Sequence, residues 1–235
     1  MTLRVKLEPC YILHRKQYRE NSYIIDIFSK RHGKIRAITR GITKNKKALI
    51  QPFTPCYISW SIKTELASVS SIEARGISPP LVDRRLLCAF YINELVMKSI
   101  PNSDPYPNLF SAYESTLTTL VATQDINIPL RIFEKILLDE IGYGLPLADI
   151  KQDKNRALWY EFSQKTGFIP KHSQTTYSIA ATTLLDLYQN KITTTQGAKE
   201  CKRLMQFALE PILAKYSIKS RMIWAPINTT KHTSS

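Results

Sequence analysis

The hydrophobic period of this chain changes once, at Pro79-Pro80, and that change constrains the fold more than any other feature. Before the pair, apolar residues come in short runs rich in β-branched and aromatic side chains. After it, they recur every three or four residues. Two adjacent prolines fix φ twice and remove two backbone donors, so neither a helix nor a strand runs through them. The reading is an α+β multidomain protein, with a β-barrel domain over 1–79 and an all-α helical domain over 80–235.

The first part reads as five strands. Cys10–Leu13 is apolar and aromatic, and Tyr23–Phe28 is dense in β-branched residues. Ser29–Gly33 supplies a turn. From Gly33 to Gly41, Ile35, Ala37 and Thr39 alternate with Lys34, Arg36 and Arg40, the period of a half-buried strand with a basic outer face. Thr43–Lys47 is expected as a polar loop. Phe53–Trp60 is a fourth strand, with Pro55 placing it at an edge or bulge, and Glu65–Ala74 is a fifth. Five short strands suggest a small barrel. The OB-fold is the common one among nucleic-acid binders, and an SH3-like barrel has the same pattern.

The second part reads as helices over 84–100, 107–123, from Pro129 to Gly142 or Gly144, 178–190 and 194–215, the last kinked at Pro211. In the first of these, Leu87, Phe90, Tyr91 and Leu95 form the expected inner face. Residues 145–176 are expected as loop, and 226–235 as a disordered tail.

Charge is unevenly placed. Residues 1–80 carry 15 Lys/Arg against 5 Asp/Glu, most of the whole chain's +14. Lys30 to Lys47 holds eight Lys/Arg and no acid. Such a field attracts polyanions. The expected nucleic-acid contacts are Arg19, Lys34, Arg36, Arg40, Lys44, Lys46 and Lys47. If about five of these cations touch a single-stranded backbone, the log–log salt slope of binding is roughly −3.5. Tyr18, Tyr57 and Trp60 are the aromatic candidates for base stacking, against core packing for the latter two.

Nothing in the chain spells catalysis. Its four histidines, His14, His32, His172 and His232, form no HExxH or triad pattern. Gly41-Ile42-Thr43-Lys44 lacks the first glycine of a phosphate loop. Cys10, Cys56, Cys88 and Cys201 are too scattered for a CxxC metal pair and read as buried thiols. No catalytic residue, metal or cofactor is therefore expected. The first residues lack an apolar signal core, and no apolar run is long enough to span a membrane. The expected location is cytoplasmic.

Several stretches resemble the RecO family of bacterial DNA repair and recombination mediators. They are Tyr11–Arg15 with Tyr18–Ser22, His32–Gly41, Leu49–Pro55, Tyr91–Leu95, Asp104–Phe110, Leu130–Glu134, Ile141–Gly144 and Ile218–Arg221, in the family's order. The resemblance implies an N-terminal OB-fold and a helical C-terminal domain. It implies nucleoid-associated binding of single- and double-stranded DNA, annealing of complementary strands without ATP, and no enzymatic activity. It also implies RecR as partner, indirect loading of RecA, and docking of the acidic, apolar C-terminal tail of single-strand DNA-binding protein. By the same resemblance, Arg131 is expected to pair with that tail's carboxylates. Two departures stand out. Many members carry a four-cysteine zinc module in the segment matching 145–174, where this chain has no cysteine, and Lys44, Lys46 and Lys47 stand where arginines are usual. The competing readings are an adaptor whose helical domain recruits repair partners with incidental DNA contact, and an RNA-binding barrel.

Overall fold

The computed structural model describes residues 3–63, 66–152 and 158–214. Five strands form the N-terminal part: β1 (Leu3–Arg19), β2 (Ser22–Ser29), β3 (Gly33–Thr39), β4 (Pro55–Ile62) and β5 (Ala67–Ala74). Their order is β1-β2-β3-β5-β4, and β4 pairs back onto β1 to close a barrel. All neighbours run antiparallel except β3 and β5. The strand pattern leaves OB-fold and SH3-like barrels open, and this is the OB-fold that the family resemblance implies. Pro55 is the first residue of β4, where its missing N–H leaves no gap inside the ladder. The segment expected as a loop after Gly41 instead winds into a 3-10 helix over Lys44–Ile50, whose Ile50 is buried in the barrel.

Strand alternation divides the side chains between two cores. Cys10, Ile12, Ile25, Ile27, Ile35 and Ala37 fill the barrel with Ile58 and Trp60. Tyr11, Leu13, Phe28 and Phe53 point the other way, into the core of the helical domain. The barrel thus has one face packed on helices and another open to water.

β1 is long because bulges let it bend. Val5 pairs with Trp60 and Glu8 with Ile58, leaving one extra residue at Lys6-Leu7. Ile12 pairs with Ile27 and His14 with Asp26, so Leu13 is extra. Gln17 pairs with Tyr23 and Arg19 with Ser22, so Tyr18 is extra. The first bulge brings Glu8 inside, fully buried, where it accepts hydrogen bonds from Ser29 Oγ, Arg31 N and Arg31 Nε and fixes the β2–β3 turn. The second turns Leu13 into the helical core and offers its carbonyl to Asn93 Nδ2 at 2.7 Å.

The helical part comprises α1 (Asp83–Ser99), α2 (Pro107–Ala122), α3 (Asn127–Glu140), α4 (Leu147–Gln152), α5 (Ala181–Tyr188), α6 (Thr195–Ala208) and α7 (Glu210–Ala214). Gly142 takes φ +81 after α3 and ends it, with Tyr143 N returning to Leu138 O at 2.9 Å. Pro211 lies at the start of α7, so the expected kink is a break between α6 and α7. On α1 the inner face is rotated from the one expected. Cys88, Tyr91, Ile92, Leu95 and Val96 are buried, whereas Leu87 and Phe90 are partly exposed. Phe90 meets Phe53 of the barrel edge to face at 5.0 Å.

The segment expected as loop over 145–176 includes α4 and two strands among its described residues, and the helical domain is not all-α. β6 (Trp159–Ser163), β7 (Gly167–Lys171) and β8 (Ile179–Ala180) form a small sheet in the order β7-β6-β8. Phe162 packs on Phe168 at 5.1 Å and on Phe207 of α6 at 6.1 Å. The terminal tail expected over 226–235 lies outside the described residues.

Candidate nucleic-acid interface

The cations of the barrel are sorted by strand register. Residues opposite one another in an antiparallel pair share a face. His14, Asp26 and Arg36 form one row across β1, β2 and β3, and Lys16, Ile24 and Ile38 the next. Arg19 lies opposite Ser22, beside the last pair of β3, and Arg40 follows directly and reaches Ser68 Oγ at 3.3 Å. The side chains inside these rows fill the barrel, so Lys16, Arg19, Arg36 and Arg40 share its outer face. Ile42 N donates to Asn21 O at 3.0 Å, which ties the turn of the β1–β2 hairpin to the chain entering the 3-10 helix. Lys44 and Lys46 are exposed on that helix, and Lys47 is partly so. One continuous basic strip therefore runs from the sheet, past the hairpin tip, to the 3-10 helix.

The strip is tuned by one acid. Asp26 is 5% exposed, with Arg36 Nε 2.8 Å and His14 Nδ1 3.5 Å from its carboxylate. The hydrogen bond to Asp26 raises the Arg36 pKa further. Arg36 thus has part of its charge compensated, whereas Lys44 and Lys46 of the 3-10 helix are exposed to water.

Six of the seven expected contacts lie on this strip, and Lys34 does not. Its neighbours in sequence gave it the outward phase, but that end of β3 is covered by α1. Lys34 Nζ donates to Met97 O at 2.5 Å and Ile100 O at 2.7 Å, capping the helix C-terminus. Burial lowers its pKa. Lys16, absent from the expected set, joins the strip. The signal for it was the β1–β2 register, which the bulges at Leu13 and Tyr18 hide from a simple count of two. Among the aromatics, Trp60 is 1% exposed inside the barrel, Tyr57 lies on β4 opposite Glu73, and Tyr18 stands at the hairpin tip.

The expectation for Arg131 is also corrected. It is 2% exposed, within the helical core, and pairs with Glu134 at 2.9 Å. Tyr91 Oη donates to the same carboxylate at 2.7 Å. Helix α3 is covered on several sides, so the phase that leaves most helix cations in water takes this one inside. Burial raises the Glu134 pKa, and Arg131 and Tyr91 oppose that rise. On the surface of the same domain, a groove of about 790 Å³ opens between the small sheet and α6. Phe162, Ile179, Leu204 and Phe207 line it together with Arg203, Glu161 and Glu210.

The four cysteines are buried, free thiols, none of them between 145 and 174. Aromatic packing of Phe162, Phe168 and Phe207 occupies that region. Among the described residues no three His, Cys, Asp or Glu side chains come together as metal ligands, so those present there do not fit a zinc ion. Nor is any described helix long and apolar enough to cross a membrane.

Fold and surface together define an OB-barrel protein with a basic outer strip, joined through a shared core to a helical domain. Comparison with known proteins narrows the class. The family model "Recombination protein O N terminal" matches residues 2–77, and "Recombination protein O C terminal" matches 84–222. The DNA repair protein RecO of Methylococcus capsulatus is 37% identical over 228 residues, covering 94% of this chain and 93% of the relative. That of Coxiella burnetii is 36% identical over 228 residues, with 94% and 98% covered, and that of Aliivibrio salmonicida 33% over 227, with 94% and 95% covered. The chain belongs to the RecO family.

Proposed function

We propose that this chain serves DNA repair and recombination as a non-catalytic strand-annealing mediator. The observation that carries the reading is the continuous basic strip on the open face of the OB barrel, formed by Lys16, Arg19, Arg36, Arg40, Lys44, Lys46 and Lys47. Cations spaced along a sheet and a neighbouring helix neutralise phosphates and release counterions, a term indifferent to base sequence. Two complementary strands held this way lose their mutual repulsion while their bases stay free to pair. The same strip takes single- or double-stranded DNA, and no ATP is needed.

The helical domain supplies partner contacts. Because Arg131 is internal, the acidic, apolar tail of single-strand DNA-binding protein is assigned to the groove lined by Phe162, Leu204, Phe207 and Arg203. RecR is the second proposed partner, and RecA profits indirectly once the coating protein is displaced.

The test uses two dye-labelled complementary oligonucleotides coated with single-strand DNA-binding protein, without nucleotide or divalent metal. The expected result is fast annealing that collapses in the Lys44→Glu/Lys46→Glu/Lys47→Glu variant and also when the coating protein lacks its tail. Wild-type protein that binds the tail and anneals nothing would instead be an adaptor.

A further inference from the structure

We infer that Tyr18 is a stacking platform for one unpaired base, which gives the basic strip a preference for single-stranded DNA. The inference rests on the reading of that strip as a DNA-binding surface. Three bulges shape β1, and the first two have evident uses inside the protein. One seats Glu8 beneath the β2–β3 turn, and the other sends Leu13 into the helical core. The third makes Tyr18 the unpaired residue between Gln17 and Arg19, two positions from the hairpin turn at Glu20-Asn21. A bulge re-aims a side chain away from the ladder. Here it aims an aromatic ring into water, with 54% of the residue exposed.

The ring's surroundings suit a nucleobase. The Arg19 guanidinium lies over it at 5.5 Å from the centroid, holding it by a cation–π contact. Lys16 and Arg19 flank it along the strand, and Asn21 links its hairpin to the segment that leads into Lys44, Lys46 and Lys47. Phosphates on either side of a stacked base thus meet cations in both directions along the strip. Duplex DNA offers phosphates to the same cations but keeps its base faces covered, so Tyr18 adds nothing there. Tyr57 is paired in register within β4, opposite Glu73, and is less exposed, at 37%. Trp60 is enclosed in the barrel.

The test measures full-length protein binding to an oligo-dT strand carrying one 2-aminopurine, to a strand with abasic sites in place of the bases, and to a duplex. Stacking on Tyr18 changes the 2-aminopurine fluorescence on binding. Tyr18→Ala and Tyr18→Leu are expected to lose that change and to bind the single strand about tenfold more weakly, while duplex binding stays within about twofold. Tyr18→Phe, which keeps the ring, is expected to behave as wild type. The abasic strand is expected to bind wild type and Tyr18→Ala equally. Single-strand binding unaltered in both Tyr18→Ala and Tyr18→Leu would overturn the inference while leaving the strip a phosphate-binding surface. Wild-type protein that binds neither single strand nor duplex would overturn the underlying reading as well.

Discussion

Gly33 shows how closely the two domains are fitted at single residues. It takes φ +66, and a Cβ added there would lie 1.8 Å from the carbonyl oxygen of Asp104. Only glycine combines that backbone with that approach. Gly33→Ala is therefore expected to destabilise the protein by about 2–4 kcal/mol, read as a lower urea midpoint at unchanged slope. The cysteines give a second residue-scale prediction. Burial pushes the Cys56 and Cys201 thiols up to about 12 and the Cys88 thiol up to about 11. At pH 8 almost none of these sulfurs is a thiolate, the nucleophilic form. Native protein is expected to leave Ellman's reagent unreacted until it unfolds, when all four cysteines titrate. The sign of the pH dependence follows. Unfolded thiols lose their protons near their ordinary value while the folded ones keep theirs, so above about pH 9 ionisation favours the unfolded chain. Stability is expected to fall between about pH 9 and the folded values. Cys88→Ala, compared with wild type across that range, should show a shallower fall.

At the scale of elements, the strand and helix sequence is what the period of apolar residues predicts, and the departures have physical causes. The barrel strands were legible because Tyr23–Phe28 is dense in β-branched and aromatic residues and because Ile35 and Ala37 alternate with Lys34 and Arg36. The bulges were not, because an extra residue leaves no mark on composition, and with them went the place of Lys16 on the strip. The small sheet was hidden because β6 and β7 are five residues each and their inner positions are aromatic, set among lysines and glutamines that read as loop. Lys34 and Arg131 were misplaced for one reason: what covers a side chain is decided by elements far away in sequence, α1 for the first and the helices around α3 for the second. The 3-10 helix over Lys44–Ile50 makes a quantitative prediction. If its three lysines each neutralise one phosphate, replacing all three by alanine should make the single-strand salt slope shallower by about 2. Binding to oligo-dT measured from low to moderate salt gives that number. An unchanged slope would confine phosphate contacts to the sheet.

The whole molecule is held as one body by contacts that alternate with the barrel's own core. Tyr11 Oη donates to Glu114 Oε1 at 3.0 Å, and Arg75 Nη2 donates to the same oxygen at 2.6 Å, while the Arg75 guanidinium also lies 5.2 Å from the Tyr11 ring centroid. Burial beside Glu114 raises the Tyr11 pKa, so its phenol stays a donor throughout the physiological range. Beneath this pair, Phe28 meets Tyr113 edge to face at 5.9 Å, and Tyr113 Oη donates to Asn93 Oδ1, whose own amide holds Leu13 O. Residues of β1, β2, α1 and α2 thus share one core crossed by buried hydrogen bonds. Separating the domains would expose Tyr11, Leu13, Phe28 and Phe53 and strand the polar groups that face them, a cost neither domain recovers alone. The two domains are therefore expected to unfold in a single transition, with calorimetric and van't Hoff enthalpies equal. Glu114→Ala removes the acceptor for two donors and leaves Arg75, whose side chain is 19% exposed, without its ion-pair partner. It is expected to lower stability by about 1–3 kcal/mol while keeping one transition. Phe28→Ala, which opens a cavity where the cores meet, is expected to cost about 3–5 kcal/mol. If the Phe28→Ala trace splits into two transitions, the shared core is what couples the domains. If wild type itself splits, the barrel folds alone, and its basic strip moves independently of the partners the helical domain binds.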